Sequence, residues 1–342
     1  MKSKASLKYL VIAAVALIAG IFPWLLGDYY RSVLDFALIN CIVALGLNYI
    51  YGYTGYISFA QAGFFGIGAY TAALLSVDLH VPFLPALIAA GIVAAIFGLI
   101  LGIPALKLKG HYLAMATIGF GIILQLVMIN WVGLTKGPAG VQGIASPSLG
   151  PLTFESYTSF YYLALVILVI AALVAYCIEN SKLGRAFMAI REDELAAGAC
   201  GINLTYTKVT AFMLSAFYGG IGGALYAFML TYISPDNFSF DQSIVFFTMV
   251  LAGGAGTVWG PIIGAFALTF VPEWLRFLKE YYMAVYGVGI ILLMLFLPGG
   301  IASLFQEEGR LGRLFKRQQP ETVVPPEEAT RAADTAARMG GL

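Results

Sequence analysis

Tyr161-Tyr-Leu-Ala-Leu-Val-Ile-Leu-Val-Ile-Ala-Ala-Leu-Val-Ala-Tyr-Cys-Ile178 runs without a charged side chain, and Ser181-Lys-Leu-Gly-Arg-Ala-Phe-Met-Ala-Ile-Arg-Glu-Asp-Glu-Leu-Ala-Ala-Gly-Ala-Cys-Gly-Ile-Asn203 follows at once. The first stretch is the length of a helix that crosses a bilayer, where about 20 apolar residues are needed. The second is too polar to stay in hydrocarbon. Reading outward in both directions, the chain repeats this alternation. It is 60% hydrophobic and 11% charged, whereas soluble domains carry roughly 25% charged residues. The alternating strands of an outer-membrane barrel are absent, so the expected fold is all-α, a polytopic transmembrane helical bundle.

About ten spans are expected, some broken or short: 8–27, 33–51, 57–77, 83–104, 112–133, 158–178, 206–233, 243–254, 257–277 and 283–305. The eighth is short, and Ala252-Gly-Gly-Ala-Gly256 at its end reads as a broken helix or re-entrant turn. The N-terminal Met-Lys-Ser-Lys leads into an apolar run reaching about Leu26 with no small-x-small cleavage site, so it reads as an anchor. With both termini cytoplasmic, only Arg31, Lys136, Arg276 and Lys279 of the 19 Lys and Arg residues fall outside, which sets the orientation by the positive-inside rule. Residues 1–305 are then a membrane domain, 134–157 the longest external loop, and 306–342 a cytoplasmic, mostly disordered tail.

Net charge is +1 and no basic aromatic patch occurs, so nucleic acid is not an expected partner. Cys41, Cys177 and Cys200 are isolated, and His80 and His111 lie in different loops, so no metal site is expected.

The cassette 181–203 has its own logic. Lys182, Arg185 and Arg191 place it on the cytoplasmic side. Asp193 can cap a short helix, Glu194 suits its positive end, and Gly201 can close it in a left-handed turn. Ala196, Ala197 and Ala199 make a thin flank that another protein can approach. A helix this short needs a docking surface. A membrane subunit gripped by a cytosolic partner would look like this, and so would an ordinary charged loop.

Two stretches are dense in small residues: Gly52 to Ala73, and Gly253 to Phe266. Both enter from the cytoplasmic side. Gly68-Ala-Tyr70 resembles Gly264-Ala-Phe266, a hint of inverted repeats, and short Gly-interrupted segments in both halves point to a transport path. A third seam, Gly219-Gly-Ile-Gly-Gly-Ala224, reads as close helix packing. Polar groups within spans are few: Asn40, Asn48, Gln61, Gln125 and Asn130. Buried charge is expected to be nearly absent, with Glu273 near an outer end, so no proton relay is evident. No GxxxxGK[ST] occurs, so this chain should carry no ATPase site and bind no cofactor itself.

Taken together, Gly46-Leu-Asn-Tyr-Ile-Tyr-Gly-Tyr-Thr-Gly-Tyr-Ile-Ser58, Phe64-Phe-Gly-Ile-Gly-Ala-Tyr70, Gly133-Leu-Thr-Lys-Gly-Pro-Ala-Gly140, Arg191-Glu-Asp-Glu-Leu-Ala-Ala-Gly-Ala-Cys-Gly-Ile-Asn203, Leu251-Ala-Gly-Gly-Ala-Gly-Thr257 and Leu297-Pro-Gly-Gly-Ile301 resemble the permease subunits of branched-chain amino-acid ABC importers, the LivM type, over roughly residues 33–305. The resemblance implies a transport subunit, not an enzyme, in a bacterial cytoplasmic membrane. It implies a second related permease, two cytosolic ATP-binding subunits, an extracytoplasmic binding protein, contact with membrane lipid, and a small neutral amino acid as substrate. The alternatives are a urea or short-amide ABC permease and an ion-coupled secondary transporter. The coupling residues would be Arg191, Glu192, Glu194, Ala196, Ala197 and Gly201. The substrate path would take in Asn48, Gln61, Gly66, Gly68, Gln125, Gly254 and Gly264.

Overall fold

The computed structural model describes residues 23, 27–105, 108, 110–150, 152–274, 287, 288, 291, 295, 300 and 301. Most of the first and tenth expected spans, and the whole tail 306–342, lie outside the described residues. The chain divides into residues 1–302, which hold every described residue, and residues 303–342.

Eight expected apolar stretches are helices. The helix α1 (Asp28–Asn48) continues as a π-helix over Tyr49–Tyr53, and α2 (Gln61–Val77), α3 (Phe83–Ala105) and α4 (His111–Asn130) follow. After the one-turn α5 (Val132–Thr135) comes α6 (Tyr157–Glu179), then α7 (Lys182–Glu192), α8 (Glu194–Ala199) and α9 (Leu204–Leu230). The described helices close with α10 (Phe240–Gly253) and α11 (Trp259–Trp274). Among the described residues, five helices are long and apolar enough to cross a membrane: α1 with its π extension, α3, α4, α6 and α9. The shorter α2 and α10 are apolar as well.

Large side chains along α3 at Leu84, Ile88, Ile92, Ile96 and Ile100 are about half exposed, spaced four apart on one face. A row of this kind belongs against lipid rather than water. Inside, α9 is the hub. A Cβ at Gly220 would meet the Ala90 carbonyl at 2.6 Å, one at Gly223 the Phe65 carbonyl at 1.9 Å, and one at Gly68 the Gly220 carbonyl at 2.2 Å. Backbones of α2, α3 and α9 therefore touch directly, as small-residue seams allow in membranes.

Residues 54–60 are irregular between the π-helix and α2. Irregular backbone survives near lipid only where protein satisfies it. Here Phe59 N–H donates to Thr117 Oγ1 of α4 at 3.0 Å, and, in the first turn of α2 that follows, Ala62 N–H donates to Ser243 Oγ of α10 at 3.0 Å. The turn after α10 reverses the chain at Gly254 (φ 109°) and Gly256 (φ 88°). The loop expected at 134–157 is more ordered than its Gly, Pro and Ser content suggests. Its β1 (Val141–Gln142) pairs antiparallel with β4 (Tyr232–Ile233), and β2 (Ser148–Leu149) pairs with β3 (Leu152–Thr153). Strands of two residues are too short to leave an alternation in the sequence.

Candidate functional site

The site grows from the cassette. Ser181 caps α7, accepting from the Leu183 and Gly184 amides at 3.1 and 3.3 Å. Gly184 lets α7 fold back on α6, since a Cβ there would lie 2.3 Å from the Glu179 carbonyl. The inner face of α7 buries Phe187 edge-on against Tyr49 of the π-helix. Asp193 caps α8, accepting from the Leu195 and Ala196 amides at 2.8 and 3.0 Å. Gly201 (φ 83°) ends the turn. Ile202 N–H donates to the Ala197 carbonyl and Gly201 N–H to that of Gly198, the paired bonds of a Schellman closure. The capped helix read from the sequence is therefore present.

Its faces differ from the expectation at one position. Ala196 and Ala199 are exposed, but Ala197 is buried and turned into the chain's own body. The outward surface also carries Leu195, 78% exposed, and Tyr206, 64% exposed. Glu192 is exposed too.

Two attachments hold the cassette. Glu194 Oε1 pairs with Lys208 Nζ of α9 at 2.5 Å, and its Oε2 accepts from the Tyr56 hydroxyl at 2.9 Å. The Lys208 ammonium also lies 5.1 Å from the centre of the Tyr56 ring, within cation–π range. Burial, with Glu194 as acceptor, keeps the Tyr56 proton bound above the ordinary phenol range. The second attachment is Arg191, which donates to the Gly52 carbonyl at 2.6 Å.

Gly52 and Gly256 lie against each other, and Asn48 ties them, accepting from Gly256 N–H and donating to the Thr257 carbonyl, both at 3.0 Å. The turns at Gly52 and Gly256, one in each glycine seam, thus meet beside the cassette. Gln61 is fully buried. Its Nε2 donates to the Val43 and Ser215 carbonyls, and its Oε1 accepts from Ser215 Oγ at 2.8 Å. Gly66 faces Met128 and Phe238, Gly68 faces Gly220, and Gly264 faces Gly253 and the Met249 carbonyl. Gln125 is half-buried on α4, and Gly254 is buried in the turn. In this conformation Asn48 and Gln61 spend their side-chain hydrogen bonds on holding helices together.

At the end of the bundle opposite the cassette lies a cavity of about 620 Å³, lined by Asn40, Asp236, Asp241, Gln242, Thr269 and Glu273 among others. Asn40 donates to Thr269 at 3.0 Å across it. None of the seven expected path residues lines it. Buried ionisable groups, expected to be nearly absent, are present twice: Lys208, paired with Glu194, and Asp35, whose carboxyl is enclosed with no hydrogen-bond partner for either oxygen among the described residues. Lys208 is the one charged residue of α9, and Asp35 the one within the apolar run 33–51, the signal that would have found each.

The family described as "Branched-chain amino acid transport system / permease component" matches residues 29–295. The chain is similar to the high-affinity branched-chain amino acid transport system permease protein LivM of Salmonella typhimurium, 32% identical over 91% of this chain and 77% of that protein. It is 26% identical to the probable branched-chain amino acid transport permease LivM of Methanocaldococcus jannaschii, over 84% and 94% of the two chains. It is 29% identical to the permease protein LivH of Escherichia coli, over 76% and 90%. No solved structure matches.

Proposed function

Because this chain belongs to the branched-chain amino-acid transport permease family, we propose that it is a membrane-spanning subunit of an ABC importer for leucine, isoleucine, valine or a similar neutral amino acid. The observation that carries the mechanism is the capped cassette. Its outer surface offers Leu195, Ala196 and Ala199, with the exposed Tyr206 of α9 following closely in the chain, and its inner surface is tied to the helices that must move. A partner that docks on one side can therefore act on the other.

On this reading two cytosolic ATP-binding subunits grip the cassette, and this chain holds no nucleotide. A second, related permease completes the membrane part. The cassette faces the cytoplasm, in keeping with Lys182, Arg185 and Arg191, and both termini share that side in a ten-span arrangement built on inverted repeats. The 620 Å³ cavity is then the outward chamber that receives solute from a binding protein. Asn40, Gln242 and Thr269 supply it with neutral hydrogen-bonding groups suited to an amino acid's carboxylate and ammonium. Onward passage requires the glycine seams to part, with Gln61 and Asn48 exchanging their packing bonds for solute or water. Nucleotide shifts the balance of outward and inward states only through its differential affinity for them.

The test is assembly. Tagged chain, expressed with its neighbouring transport subunits, should copurify two ATP-binding subunits, and Leu195→Asp should abolish their recovery. Unchanged recovery in that variant would remove the cassette as the docking surface.

A further inference from the structure

The cassette touches the rest of the chain through groups with different reach. The Glu194, Lys208 and Tyr56 set fixes it to α9 and to the irregular segment. Arg191 reaches further. Its Nη1 donates to the Gly52 carbonyl inside the π-helix. Its stem lies over Gly55 (φ 75°), where a Cβ would come 3.2 Å from Cγ. The same Nη1 sits 2.6 Å from where a Cβ would stand on Gly256 (φ 88°). One guanidinium therefore abuts the ends of both glycine seams, and both glycines leave the room it occupies.

The geometry points to Arg191 as the positioning residue that transmits movement of the cassette into both glycine turns at once. This inference rests on the reading of the cassette as the docking element. The segment it grips is a π-helix, a form that occurs as single turns at functional sites, and it joins directly to irregular backbone that ends in α2. An arginine fork presents five donors in one rigid plane and so can hold the Gly52 carbonyl while it abuts Gly256, which a compact lysine point charge does less well. Asn48 bonds the α10–α11 turn to α1, so a pull on Gly52 is felt at Gly256. A merely structural role for Arg191, favourable charge at the C-terminal end of α7, would be worth only the small exposed helix-dipole effect.

The experiment uses the full importer in proteoliposomes. Cys41 is replaced by Ala, Cys177 and Cys200 by Ser, and Ala255→Cys places a reporter in the α10–α11 turn. Its labelling by a water-soluble maleimide is followed with and without ATP, together with ATP hydrolysed per leucine imported. With Arg191 present, ATP should change the labelling rate. In Arg191→Met the ATP-binding subunits should still copurify, the labelling change should vanish, and ATP consumed per leucine should rise at least roughly tenfold, the scale of one lost charge-assisted hydrogen bond. Arg191→Lys, read in the same way, should fall between the two, and it serves where the Met variant fails to assemble. If both variants keep the labelling change and the wild-type ratio, the role given to Arg191 is wrong while the docking reading stands. If the ATP-binding subunits do not copurify with unmodified chain, the docking reading itself fails.

Discussion

The Glu194–Lys208 pair sets how firmly the cassette is held, and its strength can be measured. Lys208 is 5% exposed, and its ammonium lies 2.5 Å from Glu194 Oε1. At an effective dielectric constant of about 20, two unit charges at that separation attract by roughly 6–7 kcal/mol. Solvent at the partly exposed carboxylate screens this to a coupling of about 2 kcal/mol, while desolvation of the buried ammonium lowers the pair's net worth but cancels in the coupling. Removing one partner costs more than the pair is worth, because the other stays buried and uncompensated. Glu194→Gln should thus destabilise the subunit by about 3 kcal/mol, and Lys208→Met by less, since the remaining carboxylate is more exposed and keeps the Tyr56 hydroxyl. The double variant should recover about 2 kcal/mol relative to the sum of the singles. Unfolding of the purified subunit in mixed detergent micelles, followed by far-UV dichroism, gives the four free energies. A coupling below about 0.5 kcal/mol would class the pair with ordinary exposed ion pairs and refute its anchoring role.

Four further outcomes follow from the same contacts. Gly264→Ala should cost about 2–3 kcal/mol, because its Cβ would stand 2.1 Å from the Met249 carbonyl and 2.6 Å from Gly253 Cα; Gly66→Ala, which meets only the side chains of Met128 and Phe238, should cost less in the same unfolding assay. Asp35→Leu should stabilise the folded subunit by about 1–3 kcal/mol by removing an unsatisfied buried group, and a loss of stability there would reveal a partner. Leu195→Asp should leave stability within about 0.5 kcal/mol, since the residue is 78% exposed, so its effect on partner recovery is readable. Ala145→Cys and the native Cys200, both exposed and at opposite ends of the bundle, should label from opposite sides of the membrane, and labelling from one side would overturn the topology.

The long helices were legible because burial in lipid demands uninterrupted apolar sequence, and α3 and α6 begin and end within a residue of the expected bounds. The caps at Asp193 and Gly201 were legible because their chemistry is local. What escaped was decided by contacts between distant parts of the chain. Lys208 finds Glu194 through a fold-back of the chain, and Asp35 is enclosed only once the bundle forms. The inward turn of Ala197 depends on how α8 rolls against α9, which no spacing rule specifies in a helix of six residues. Asn48 and Gln61 were recognisable as polar groups inside spans, but that they lock helices together is set by carbonyls at Val43, Ser215 and Thr257. The cavity residues Asp236, Asp241 and Gln242 sit in a connection and the start of α10, where polar residues are unremarkable in sequence.

Uptake of labelled leucine into proteoliposomes measures transport by the assembled importer itself. The chain is reconstituted with its second permease, two ATP-binding subunits and binding protein, and leucine is compared with urea and with a charged amino acid. Leucine should accumulate against its gradient only with ATP, and neither competitor should match it. Accumulation driven by a proton or sodium gradient without the ATP-binding subunits would show that the chain is not an ABC permease, and preference for urea would keep the mechanism while overturning the substrate.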